Sequence, residues 1–184
     1  MIKRALDGSE RAWLALVKRY EGRLYNYALR MSGNPDDAMD ILQDVLMSVY
    51  RNLASFRGDS QFSTWLFRIA AFRSTDFFRR KKWQPSHLVD EAEPADPSES
   101  HSPEYALVNA QDNRDIARLM SQLPTEQRQV VELKYFQHFT FDEIAGQLGI
   151  SPNTAKTRLY AALQKMRATS AIVPAIPEPK CANP

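Results

Sequence analysis

A chain of 184 residues, 43% hydrophobic and 25% charged, has the make-up of a soluble globular protein with room for one ordinary domain or two small ones. Its single cysteine, Cys181, excludes an internal disulfide framework, a cysteine-based zinc site and a CxxC redox pair, and none of its histidines (His87, His101, His138) is spaced with another ligand in a metal motif. No apolar run is long enough to span a bilayer, and MIKRALDGSE has no apolar core behind its basic pair, so membrane insertion is not expected and the expected location is cytoplasmic.

The net charge of +2 hides an uneven distribution. Residues 1 to 83 carry 15 Lys/Arg against 9 Asp/Glu, a balance of +6; residues 84 to 108 carry none against 6; residues 109 to 170 carry 8 against 6. Two basic blocks flank an acidic one, so charge is read block by block.

In chain order, Ser9 is a cap for a first helix with apolar residues at Trp13, Leu16, Val17, Tyr20, Leu24, Tyr27, Ala28 and Met31, ended by Gly33. Asn34 caps a second helix, with Pro35 in the first turn and Asp36 and Asp37 near the positive end of its dipole. Ala38, Ile41, Leu42, Val45, Val49 and Leu53 form its apolar face. The opposite face carries Asp36, Asp40, Gln43, Asp44, Met47 and Arg51. Acids at 40 and 44 beside Gln43 and Met47 suit docking onto a basic partner helix and suit plain exposure to water equally; spacing alone does not choose.

The stretch from Leu53 to Trp83 holds eight of the chain's 19 aromatic residues. A helix started by Asp59-Ser60 puts Phe62, Trp65, Leu66 and Ile69 on one core stripe. Phe67, Phe72 and Phe78 then fall off that stripe, interleaved with Arg68, Arg73, Arg79, Arg80, Lys81 and Lys82. Exposed rings among cations suit single-stranded nucleic acid, whose bases stack while its phosphates sit among the charges. The alternative is rings packed under a neighbouring helix, with a solvated basic helix end.

Residues 84–104, rich in proline, serine and acid and without Lys or Arg, cannot bury a core and read as a flexible linker. At roughly 3.3 Å per residue it reaches at most ~70 Å. Helical spacing resumes from Tyr105 through Leu107, Val108, Ile116, Leu119 and Met120, breaks at Leu123-Pro124, and continues through Val130, Val131, Lys134 and Tyr135. Thr140 and Glu143 form a capping box for FDEIAGQLG, Gly149 permits a sharp turn, and Ser151-Pro152 starts NTAKTRLYAALQKMRA. Two helices joined by a short glycine turn, with small Ala145 where they cross, are a helix-turn-helix. Ala155, Leu159, Ala162 and Met166 are its inner stripe. Asn153, Thr157, Tyr160 and Gln164 lie opposite, with Thr154, Lys156 and Ala161 at the sides and Arg158 on a flank suited to phosphate. The expected fold is all-α: a helical bundle over 1–83, the linker over 84–104, a helix-turn-helix unit over 105–170, and a tail over 171–184.

Together, DILQDVLMSVYRNLASFRGDSQFSTWLFRIAAFRSTDFFRR resembles region 2, and LPTEQRQVVELKYFQHFTFDEIAGQLGISPNTAKTRLYAALQKMR resembles region 4, of bacterial RNA polymerase sigma factors of the extracytoplasmic-function (ECF) group. The resemblance implies a non-enzymatic protein without metal, cofactor or small-molecule substrate, which binds core RNA polymerase. Asp40, Gln43, Asp44 and Met47 would dock on the β′ clamp helices. Phe56, Phe67, Arg68, Phe72, Arg73, Asp76, Arg79 and Arg80 would open the −10 element and hold a flipped base. Phe141, Asn153, Thr154, Lys156, Thr157, Arg158 and Tyr160 would engage the −35 duplex, and region 4 would touch the β flap. An anti-sigma factor is the further partner the family implies. Phe72 stands where many members have Asn, and Ala161 where some carry a basic residue.

Two other readings use the same residues. A helix-turn-helix regulator acting without polymerase would bind duplex DNA alone. A metal-dependent nucleic-acid enzyme would use Asp36, Asp37, Asp40 and Asp44, but these acids lack converging ligands from other elements.

Overall fold

The computed structural model describes residues 2–83 and 110–169, and every regular element among them is helical. A short α1 (Ile2–Leu6) leads into α2 (Glu10–Ser32), α3 (Pro35–Asn52), a 3-10 turn (Leu53–Ser55) and α4 (Phe62–Trp83). The second group is α5 (Ala110–Ser121), α6 (Thr125–Val131), a π-helical turn (Glu132–Phe136), α7 (Phe141–Leu148) and α8 (Pro152–Thr169). The expected linker, residues 105–109 and the tail with Cys181 lie outside the described residues.

Local chemistry sets most of these boundaries. The Ser9 hydroxyl accepts the Ala12 N–H to start α2, and Gly33, at φ 74°, returns its N–H to the Leu29 carbonyl at 2.8 Å. Asn34 Oδ1 accepts the N–H groups of Asp36 and Asp37 at 2.8 and 3.1 Å, satisfying donors that the first turn of α3 would otherwise orphan. The apolar face of α3, from Ala38 to Leu53, is buried as its spacing requires. The expected Asp59-Ser60 start of α4 is not where the helix begins. Phe62 is its first residue, and the first turn is closed by the Trp65 N–H on the Gln61 carbonyl at 3.2 Å. The stripe Phe62, Trp65, Leu66 and Ile69 still faces the core, because the start does not alter the period.

In the second group, the expected continuous helix through Lys134 and Tyr135 opens into the π turn, with the Gln137 N–H on the Glu132 carbonyl at 3.2 Å. Glu132 and Leu133, inside this wide turn, have no solvent exposure. Both bonds of the capping box at Thr140 and Glu143 form, and Gly149 ends α7 at φ 66°.

The two groups meet along a seam. α5 packs along α2, burying Ala117 and Met120, while α6 and the π turn face α2. Gly33 comes so close to Ser121 that a Cβ added there would sit 3.1 Å from the serine Cβ. One hydrophobic core runs through both groups, and polar pairs also cross the seam. Arg30 Nε and Nη2 donate to Glu132 Oε2 and Oε1 at 2.6 and 2.7 Å, joining residues 102 apart in sequence. Gln137 Nε2 donates to Glu132 Oε1 at 2.9 Å, and Arg23 Nη2 donates to Gln137 Oε1 at 2.8 Å. Arg128 donates to the carbonyls of Met31, Ser121 and Leu123; burial lowers its pKa, a cost that these acceptors offset.

Candidate functional site

Three surfaces carry the chemistry that the sequence singles out. The first is the outer face of α3. Asp40, Gln43 and Met47 are exposed there, and Asp44 is half-buried. The basic end of α4 leans across this face: Arg80 Nη2 lies 2.7 Å from Asp44 Oδ2 and Lys81 Nζ lies 2.6 Å from Asp37 Oδ2. The hydrogen bond to Asp44 raises the Arg80 pKa. Asp37, Asp40, Gln43, Asp44, Phe77, Arg80 and Lys81 line a shallow cleft of about 420 Å³. Of the four acids weighed as metal ligands, Asp37 and Asp44 are paired with cations on another helix. The sequence reading missed Tyr50, three residues on from Met47 and therefore beside it. Its ring is 63% exposed and stands edge-on to Trp13 at 5.1 Å, extending the polar face with an apolar patch.

The second surface is α4, where the expected set of exposed rings is only partly realised. Phe72 is 65% exposed, with the Arg73 guanidinium 5.7 Å from its ring centre. Phe67 corrects the expectation, having no exposure at all. Tyr27 of α2 packs on one side at 5.7 Å, Phe139 approaches at 6.3 Å, and the Arg23 guanidinium lies 5.1 Å from the ring centre. Its off-stripe position is covered because a second layer of helices packs there, which local periodicity does not report. Phe78 is half-buried against Phe77, with Arg128 at 6.0 Å. Phe56 joins Phe62 and Trp65 in an aromatic cluster at 5.4 and 5.5 Å. Asp76 is held by Arg79 and Arg80. An open cleft of about 730 Å³ remains, with Arg68, Phe72, Arg73 and Trp65 on one wall and Glu126, Gln129 and Arg158 on the other.

The third surface is α7–α8. Ala155, Leu159 and Ala162 are buried, so Asn153, Lys156 and Thr157 face solvent, with Thr154 and Tyr160 half-buried beside them. Ser151 Oγ accepts the Thr154 N–H at 3.0 Å and fixes the start of α8. Phe141 lies between two cations, with Lys134 at 4.9 Å and Lys156 at 5.6 Å from its ring centre. Arg158, expected to be available for phosphate, is instead paired with Glu126 at 2.6 Å. The Asn153 amide, the Lys156 ammonium and the Thr157 hydroxyl near the start of α8 are donor types that read base edges in a major groove.

Residues 16–84 match the family Sigma-70 region 2, and residues 113–166 match Sigma-70, region 4. The chain is 32% identical over 176 residues to the ECF RNA polymerase sigma factor SigW of Bacillus subtilis, covering 90% of this chain and 92% of that protein. The chain belongs to the ECF sigma factors of RNA polymerase. This sigma factor is also 28% identical over 169 residues to the ECF RNA polymerase sigma-E factor of Escherichia coli K12, with 88% of each chain covered. Among solved structures it resembles CnrH, in complex with the cytosolic domain of CnrY, at TM-score 0.63 and 25% identity, over 91% of this chain and 93% of that one. The sigma factor RpoE of Bartonella quintana, solved with the anti-sigma factor NepR, shares the fold at TM-score 0.61 and 22% identity, over 86% and 96%. In the sigma factor described here, the α3 face and the α4 surface lie in region 2, and the α7–α8 surface lies in region 4. No described helix is long and apolar enough to cross a membrane.

Proposed function

We propose that this sigma factor acts in the cytoplasm, binding core RNA polymerase through the α3 face and directing it to promoters whose −35 and −10 elements it reads with different lobes. Asp40, Gln43, Asp44 and Met47 dock on a basic helical surface of the polymerase, the β′ clamp helices. Asn153, Thr154, Lys156, Thr157 and Tyr160 meet the −35 major groove, Phe141 and Arg158 flank it, and region 4 reaches the β flap. Phe56, Arg68, Phe72, Arg73, Asp76, Arg79 and Arg80 receive the melted −10 strand, where the cost of flipping a base, a few kcal/mol, is offset by stacking and edge hydrogen bonds. The protein supplies binding and positioning, and the polymerase supplies the covalent step. An anti-sigma protein, of the kind with which RpoE of Bartonella quintana was solved, is the regulatory partner proposed for this chain.

The observation that carries the proposal is that one chain combines a capped helix-turn-helix, an aromatic and cationic cleft, and an acidic helix face on which Asp40, Gln43 and Met47 are exposed. Transcription by purified core enzyme with and without the protein tests it. Specific transcripts only when both are present support it; site-specific duplex binding by the protein alone, with no effect on core enzyme, favours a free-standing regulator instead.

A further inference from the structure

We infer that Trp83 is a second stacking platform for the melted −10 strand, holding a base about five nucleotides upstream of the one that Phe72 receives. The inference rests on the reading of α4 as the −10 reader and adds to it a residue and a direction along the DNA.

Among the rings of α4, Phe72 and Trp83 are the two that stand clear of the protein, at 65% and 89% exposure. Phe62 and Phe67 are buried, while Trp65, Phe77 and Phe78 pack against the core. Eleven residues separate the two exposed rings. At 3.6 residues per turn they therefore share one face of the helix to within about 20°, and at 1.5 Å per residue they stand ~16.5 Å apart along its axis. Arg79 lies between them on that face, its side chain 78% exposed although bonded to Asp76.

The chemistry of this face selects a nucleic-acid strand as its occupant. The helix carries Arg68, Arg73, Arg79, Arg80, Lys81 and Lys82 against a single acid, Asp76, which Arg79 and Arg80 hold. Rings for bases with cations between them for phosphates are the two requirements of a single strand. A protein partner would call for contiguous apolar groups, whereas these rings stand three turns apart with charge between them. Stacked bases repeat at about 3.4 Å along a strand, so ~16.5 Å corresponds to about five of them.

The direction follows from the order of the chain. Trp83 is the end of α4 from which residues 84–109 lead to the second group and so to the −35 reader. That length of chain reaches at most ~90 Å, and the two elements lie about 25 base pairs, roughly 85 Å, apart. Turning α4 round would add its own length, about 33 Å, to the path. Trp83 therefore faces the −35 side, at the upstream edge of the melted segment, with Phe72 downstream of it.

The test uses core enzyme with the full chain on a promoter recovered from a randomised library, with 2-aminopurine placed one position at a time in each strand of the −10 element. This base brightens when it loses a stacking partner. Phe72→Ala is expected to brighten one position and Trp83→Ala another, about five bases upstream. Trp83→Ala should also weaken binding of the −10 single strand roughly tenfold, and Trp83→Phe, which keeps a ring, should restore both signals. Core-polymerase affinity and melting temperature should not change, because Trp83 is exposed and lies outside α3. The inference is overturned if Trp83→Ala brightens no position, brightens the same position as Phe72→Ala or one downstream of it, or weakens core binding instead. If Phe72→Ala is silent, the reading of α4 as the −10 reader fails and the inference with it. If Phe72→Ala responds and Trp83→Ala does not, that reading stands and the role of Trp83 alone falls.

Discussion

Arg80 of α4 and Asp44 of α3 form a salt bridge at 2.7 Å, so the basic end of the proposed −10 reader rests on the acidic face of the proposed docking site. Both groups are about half exposed, and such pairs add little to stability. The acids are therefore available for exchange onto a stronger partner. Changing Asp40 and Asp44 to lysine is expected to weaken core-polymerase binding by roughly tenfold or more through like-charge contact. Circular dichroism should be unchanged. Equal affinity in a polymerase pull-down would remove α3 as the docking face.

Phe67 and Phe72 should separate stability from binding. Phe67→Ala empties a fully buried site and is expected to cost ~3–5 kcal/mol, read as a lower melting temperature. Phe72→Ala, at an exposed ring, should leave melting unchanged and weaken binding of the −10 strand by ~1–3 kcal/mol, the range for one stacked base. A large melting shift for Phe72→Ala would place that ring in the core instead.

At the other reader, exchanging Lys156 and Thr157 should change base preference at the −35 element by ~1–3 kcal/mol at the affected pair and leave the −10 preference alone. Selection from a promoter library checks this. A shift at −10 would contradict the assignment of α8.

Thr140→Ala removes both a hydroxyl acceptor for the Glu143 N–H and half of the capping box. It should cost ~1 kcal/mol of stability and loosen α7 against α8. Thermal melting with −35 duplex titration measures both effects.

Much of the fold was legible because local rules decide it. Ser9, Asn34, Thr140 and Gly149 end or begin helices through bonds within a few residues, and the buried face of α3 follows its period. The start of α4 was misplaced because Asp59 and Ser60 resemble a cap, although the helix begins at Phe62. The short α1 and the π turn carry too few residues for a periodic signal. Phe67 and the Arg30–Glu132 pair were illegible for another reason: partners 72 and 102 residues away cover them. For the candidate site, residue types on α3 and α8 were readable from spacing, whereas the pairing of Arg158 with Glu126 and of Arg80 with Asp44 depended on how helices cross.

Run-off transcription by purified core enzyme on a library of randomised promoters tests the central claim most directly. The expected result is transcripts that depend on this protein and come from templates enriched at two separated elements, near −35 and −10. Transcripts indifferent to the protein, or enrichment of a single duplex site with no requirement at −10, would contradict it.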